Sequence, residues 1–391
     1  MVAEYRKHDR DVPIVLNTWP GVDAQNWRDL ADLADIYGID PYPSNECRKD
    51  YRYFRERLRL LQAVTRFPYI AEFGSGIWHG MPDRNYTPDH YRLTAWTALA
   101  SGVRGWNWYM LANRDNWSGA PINERGVIRP ELGEVFAEAI QAFKRLEHAP
   151  PPETSCAVTW SWRYHQIAQI MKRDADDPLF GVLHDMGIEY DFVDVDHDFE
   201  PPRLLFVAGD VEEPSRLWRY VEEGGNLVLF QRLIDGCARP DGTSHPFAEN
   251  LRTSLGFVTN RAVFAYRTVP GTPITAEQLP WRIDEDQRRF MELAVGRTYT
   301  TGYHEKRGRG TVMVLGCAPS ADAILAVHRF FGVEIPARPL TPPVDWKLCA
   351  AALKPQLDES RATVPTGSSN RHQATRLSRT MRCVSGLVCT R

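Results

Sequence analysis

Short apolar runs alternate with stretches of helical spacing through the first third of the chain. Val12–Leu16 is a buried-strand run that ends at Asn17-Thr18-Trp19-Pro20. Apolar positions between Asn26 and Leu33 recur at helical spacing. Ala34–Ile39 predicts a second strand, which ends at Asp40-Pro41-Tyr42-Pro43. Tyr51–Val64 predicts a basic amphipathic helix. Pro68–Ala71 predicts a third strand, ending at Glu72-Phe73-Gly74-Ser75-Gly76. Pro88–Ser101 predicts a helix with proline at its start, Gly105–Met110 a fourth strand, and Pro130–Leu146 a long helix. Strands with few polar positions, alternating with helices, imply a parallel sheet built from crossover units.

His148–Glu153 is proline-rich and reads as a linker. The alternation then resumes. Strands are expected at Cys156–Trp160, Tyr190–Val195, Arg203–Ala208, Asn226–Phe230 and Gly310–Leu315. Helices are expected at Pro178–Met186 and Ser215–Glu223, the latter closing on Gly224-Gly225. The domains expected are therefore 1–149, 150–343 and 344–391. The last is rich in Arg, Ser and Thr with few core-forming residues, which points to disorder or to translation past a frameshift.

Composition narrows the function classes. A net charge of −3 over 391 residues gives no electrostatic case for nucleic acid or a membrane surface. No run of 18 apolar residues occurs, and the charged N-terminus lacks a signal-peptide core, so a cytoplasmic location is expected. The seven cysteines are scattered without zinc-type spacing, so neither a metal nor another cofactor is expected. Twelve tryptophans suit sugar binding, yet most tryptophans are core residues.

Each strand of the first segment ends in polar or aromatic residues: Asn17 and Trp19, Asp40 and Tyr42, Glu72, and the loop Asn113–Trp117. Ligands bind at that edge in α/β folds. Glu72, flanked by small residues, is either a rim carboxylate in an ion pair or a reacting group. Trp78 and Trp117, on loops, are candidate sugar platforms. Trp106 and Trp108 alternate along one strand, so both are expected to face the barrel interior, with core packing the plainer role for Trp106. Tyr42 and Tyr109 either hydrogen-bond a reacting carboxylate or are ordinary buried tyrosines. Arg114 and Asp115 pair to shape the pocket or form a plain loop salt bridge. His79 is at best an accessory residue.

The order Leu16-Asn17-Thr18-Trp19, Asp40–Pro43, Ile70–Gly74, Trp106–Met110, Asn113–Trp117 and Pro121–Gly126 resembles the later barrel strands of β-galactosidases of glycoside hydrolase families 42 and 35. The resemblance covers roughly 135 residues. It implies an α/β fold: the C-terminal half, strands five to eight, of a (β/α)8 TIM barrel, followed by an open-sheet amidotransferase-like α/β domain. It implies Glu72 as nucleophile of a retaining hydrolase of terminal β-galactosides. Asn17, Trp19, Asp40, Tyr42, Trp78, Trp108, Tyr109, Arg114 and Trp117 would bind the carbohydrate. Gly181–Ile188, Leu204–Ala208 and Tyr220–Leu229 look like the second domain, which in family 42 takes part in trimer formation, so a homo-oligomer, as in that trimer, is expected.

The departures carry expectations of their own. Family members place four strands and the acid/base glutamate ahead of the strand ending at Asn17, so an N-terminally truncated chain is expected. Glu4 lies where a helix tail is expected, and Glu46 reads as a loop carboxylate beside Arg48 and Lys49 more readily than as a catalytic acid. A half barrel with open edges is expected to associate. A non-catalytic sugar-binding or assembly protein is the competing reading. No Gly-x-Cys-x-Gly elbow occurs, so amidotransferase chemistry is not expected, and Cys237 and Cys317 read as core or loop residues.

Overall fold

The computed structural model describes residues 2–20, 25–43, 48–80, 86–146, 153–170, 178–208, 211, 215–230, 253–254, 263–268, 273–277, 282–283, 289–295 and 297–336. Glu46, Cys237, most of the proline-rich linker and the arginine-rich tail lie outside them. The chain divides into two compact units, one running to Glu153, the other from Thr154 to Pro336 apart from Asp185–Gly187.

The first unit is built on a four-stranded parallel sheet. Its strands are β1 (Val15–Thr18), β2 (Ile36–Ile39), β3 (Tyr69–Gly74) and β5 (Gly105–Tyr109), in the order β1-β2-β3-β5. Between β3 and β5 lies β4 (Ile77–Trp78), which pairs antiparallel with β6 (Trp117–Ser118). The helices are α1 (Val2–Tyr5), α2 (Trp27–Ala31), α3 (Arg48–Val64), α4 (Pro88–Ala100) and α5 (Pro130–Leu146). Local sequence explains their starts. Asn26 caps α2 by accepting from the amides of Arg28 and Asp29. Thr87 caps α4 through His90, with Pro88 in the first turn.

Aromatic residues join the helices to one face of this sheet. Tyr37 of β2 meets Trp27 of α2, and Phe73 of β3 stacks on Phe54 of α3. Trp106 and Trp108 of β5 meet Phe143 and Phe136 of α5. The expectation that Trp106 and Trp108 face a barrel interior is therefore corrected. Alternation along a strand says that both share a face, and here the apolar stripe of α5 claims that face. Helix α3 carries the basic residues expected of it, but Arg55, Arg57 and Arg59 are buried. The Arg57 guanidinium lies over the Tyr53 ring at 4.5 Å, and Arg59 donates to Gln62 at 2.6 Å.

The second unit holds a nine-stranded mixed sheet. Five strands run parallel in the order β8 (Tyr190–Asp194), β7 (Cys156–Trp160), β9 (Leu205–Val207), β10 (Asn226–Phe230), β17 (Gly310–Leu315). Four more continue it antiparallel: β16 (Arg297–Arg307), β15 (Arg289–Val295), β12 (Val263–Thr268) and β13 (Pro273–Glu277). The antiparallel extension is not among the sequence expectations. Arg297–Arg307 interleaves threonine and tyrosine with charged residues, a pattern without an apolar run. A small pair, β11 (Thr253–Ser254) and β14 (Arg282–Ile283), stands apart from this sheet.

The helices of this unit are α6 (Trp162–Ile170), α7 (Pro178–Asp185), α8 (Ser215–Glu222) and α9 (Ala321–Phe331). Leu217, Tyr220 and Val221 of α8 share a core with Leu227, Leu229, Val312 and Val314. Phe206 points the other way, to His328 of α9. Gly224, just past α8, has φ of 119°, a conformation that a side chain would strain.

Candidate active site

Parallel pairing puts the C-terminal ends of β1, β2, β3 and β5 at one edge. The register Thr18↔Ile39 and Ile39↔Ile70 aligns the residues just beyond them. There the chain brings together Trp19, Asp40, Tyr42, Glu72, Tyr109 and Trp117.

Glu72 owes its direction to an irregularity in β3. Ile70 pairs with Trp106 and Phe73 with Trp108, so three steps on β3 match two on β5. Ile70 and Phe73 are both buried, and Ala71 and Glu72 between them are half-buried. The extra residue is a bulge, which re-aims a side chain at the end of a strand. Sequence reasoning missed it. The available signal was the Ile70-x-x-Phe73 spacing, one residue too long for strand alternation.

Tyr42 holds the carboxylate. Its hydroxyl donates to Glu72 Oε2 at 2.5 Å. Gly74 makes this approach possible: a Cβ there would come within 2.9 Å of the Tyr42 ring. The small residue beside Glu72 thus makes room for a protein ring. Burial, the Glu72 hydrogen bond and the nearby Glu72 charge push the Tyr42 phenol well above its ordinary range, so the proton stays on the tyrosine.

The ring of Tyr42 also organises the aromatic residues. Trp19 stacks on it at 5.7 Å with 27° between planes. Tyr109 meets it edge-on at 6.2 Å, and Trp117 lies at 6.3 Å. Tyr109 and Trp117 are perpendicular at 5.5 Å. Trp19 remains 47% exposed, so one face of a large indole is open to a ligand.

Asp40 is the second carboxyl group. It is 9% exposed, and Asn17 Nδ2 donates to its Oδ2 at 2.6 Å. Burial, then the negative charge of Glu72, push it up to about 7 against the pull of Asn17 and the Glu72 amide. Tyr69 fills the same sheet face lower down. A Cβ on Gly38 or on Gly105 would lie 3.0 Å from Tyr69 atoms, so both glycines are cut to admit it.

The remaining sequence candidates fall elsewhere. Trp78 is opposite Trp117 in the β4–β6 pair and is 44% exposed. Trp108 stacks on Phe73 at 4.8 Å and packs against Tyr91 and Phe136, on the helix side of the sheet and away from Tyr42. Arg114 is exposed, and its backbone pairs with that of Trp117. No ion pair joins it to Asp115 among the described residues. Asn113 instead ties the loop together, donating to Glu124 and accepting from the Ala120 amide. His79 is exposed and bonds through its amide to Asn116.

Among the described residues no cluster of three or more His, Cys, Asp or Glu could hold a metal ion, and no helix is long and apolar enough to cross a membrane. In the second unit Cys156 and Cys317 are buried, and burial pushes both thiols up to about 12. Neither is a poised nucleophile.

No family model matches the sequence, and no curated protein does. Solved structures do match the fold. The β-galactosidase of Bacillus circulans sp. alkalophilus superposes with a TM-score of 0.67 at 15% identity, over 85% of this chain and 55% of that one. The β-galactosidase of the Antarctic haloarchaeon Halorubrum lacusprofundi gives 0.66 at 16% identity, over 86% and 57%. A GH42 β-galactosidase of G. stearothermophilus gives 0.67 at 12% identity, over 85% and 55%. The chain thus spans a little over half the length of these structures. At such identities the likeness is one of fold: an α/β chain with parallel sheets, like part of a β-galactosidase.

Proposed function

We propose that the chain carries the nucleophile half of a retaining glycosidase site for terminal β-galactosides, with Glu72 attacking the anomeric carbon. The observation that carries this reading is the Tyr42–Glu72 hydrogen bond within a ring of exposed and half-buried aromatics. The phenol fixes Oε2, which leaves Oε1 as the attacking oxygen. The bond is one that a carboxylate, the form a nucleophile takes, accepts through one oxygen. Trp19 and Trp117 offer ring faces to the apolar C–H surface of a pyranose.

The chemistry is double displacement. Glu72 forms a glycosyl ester as the leaving group departs, and water then hydrolyses that ester. The sugar assignment draws on the sequence resemblance and on the matched fold, in which the structures superposing with TM-scores of 0.66 and 0.67 are described as β-galactosidases.

The test uses a leaving group that departs unprotonated, so that it reads the nucleophile alone. Dinitrophenyl β-galactoside turnover is expected to vanish in Glu72→Ala and to return with added azide, giving the α-galactosyl azide. Turnover of Glu72→Ala equal to that of the unaltered protein would refute the role. Turnover of the matching glucoside or mannoside in preference to the galactoside would move the substrate assignment.

A further inference from the structure

Asp40 is a buried carboxyl group for which the proposed chemistry has no use. Its Oδ2 is engaged by Asn17 from β1, and its amide bonds to the Thr18 carbonyl. Its Oδ1 is buried and makes no hydrogen bond among the described residues. An anionic oxygen in that setting is costly, whereas a protonated one is much less so. The next strand end, β3, carries the second carboxyl group, Glu72, which accepts the Tyr42 hydroxyl.

We propose that Asp40 and Glu72 form a carboxyl pair holding one proton between them, with the proton on Asp40 Oδ1 and the charge on Glu72. Asn17 accommodates this state: its amide donates to Oδ2 and leaves Oδ1 to carry the proton. Among the described residues, the groups that face the pair are few. From β1 comes Asn17, which is neutral. From β2 and just beyond it come Tyr37 and Tyr42, both held protonated by burial. From β5 comes Tyr109, which acts on Tyr42. None of the influences on Asp40 is a cation, and burial and the Glu72 charge act in the same direction.

Asp40 is thus a positioning residue. It keeps a second negative charge away from Glu72 below neutral pH. The consequence for turnover rests on Glu72 being the nucleophile; the pair itself does not.

The experiment is a carboxyl-carbon NMR titration of protein labelled at aspartate. One aspartate is expected to titrate near 7, far from the rest, and to disappear in Asp40→Asn. In Glu72→Gln, a neutral stand-in for the glycosyl ester, the same resonance is expected to titrate lower, yet above ordinary aspartates because burial remains. Circular dichroism checks that each variant is folded. The titration of unaltered protein also stands alone: if every aspartate titrates in the ordinary range, the proposal is overturned. A midpoint unmoved in folded Glu72→Gln overturns it too. Dinitrophenyl galactoside turnover adds a functional readout, since an inflection near 7 should be lost in Asp40→Asn. A shared-proton titration in a protein without turnover would leave the pair standing and remove the glycosidase reading.

Discussion

The two units both place parallel strands side by side, but they finish those strands differently. In the second unit every residue of β7 and β17 is buried, and β10 is buried from Leu227 to Phe230. Helix α8 covers one face and α9 the other. In the first unit only Thr18 of β1 is buried, and no residue of β5 is. Its helices take one face, while the other presents Asn17, Asp40, Tyr69 and Asn107. The strand ends differ accordingly. In the second unit Asp194 is taken up by Trp162 and His197, and Asp196 by Ser161 and the Arg163 amide. In the first, Asp40 keeps one oxygen unbonded and Glu72 is held through one oxygen by Tyr42. Carboxylates satisfied by their own chain are structural, whereas carboxylates left partly unsatisfied beside exposed indoles are free to meet a ligand.

The comparison is broken most forcefully in the strands themselves. Leu227→Ala in β10 should cost about 2–5 kcal/mol in urea unfolding, because the site is fully buried between layers. Val15→Ala in β1, at a position 48% exposed, should cost no more than about 0.5 kcal/mol. Equal costs would mean that the two sheets are not differently covered.

At the site, Tyr42→Phe removes one hydrogen bond to a charged oxygen while keeping the ring that stacks on Trp19. Such bonds contribute about 1.5–3 kcal/mol, so turnover of an activated galactoside should fall roughly 10- to 100-fold. A loss confined to KM would assign Tyr42 to binding.

Asp40 sharpens the contrast through pH. Its carboxyl is raised in the folded state from 3.8 to about 7. The folded state therefore binds the proton more tightly than the unfolded state. The stabilisation is full below about 4 and is lost as pH rises to about 7. Asp40→Asn should match the unaltered protein near pH 4 and exceed its stability at pH 8. At 1.36 kcal/mol per unit the ceiling is about 4 kcal/mol, and about 2 kcal/mol is expected with partial water access. Thermal unfolding at the two pH values measures it. Smallest is Trp19→Ala, which removes a stacked, half-exposed ring. It should weaken galactose binding by about 0.5–1.5 kcal/mol, roughly two- to tenfold by calorimetry.

Much of the site was legible because parallel strands announce their ends. Buried runs stopping at Asn17, Asp40 and Glu72 put those residues at one edge, and the structure brings Trp19, Tyr42, Tyr109 and Trp117 beside them. Trp108 was misplaced because alternation assigns two faces without saying which one meets helices; Phe136 and Tyr91 decide that. The bulge at Ala71–Glu72 left only the Ile70-x-x-Phe73 spacing as its trace, and the Asp40 environment arises from neighbouring strands, so no local pattern holds it. Strand β16 pairs antiparallel, where a half-polar sequence is stable, and it lacks the apolar run that marks β7 or β17.

The most direct test of the central claim is peptide mass mapping after reaction with an activated 2-deoxy-2-fluoro-β-galactoside. One sugar per chain is expected, on the peptide containing Glu72, with no adduct in folded Glu72→Gln. An adduct on any other carboxylate, or folded protein that takes no label, would contradict it.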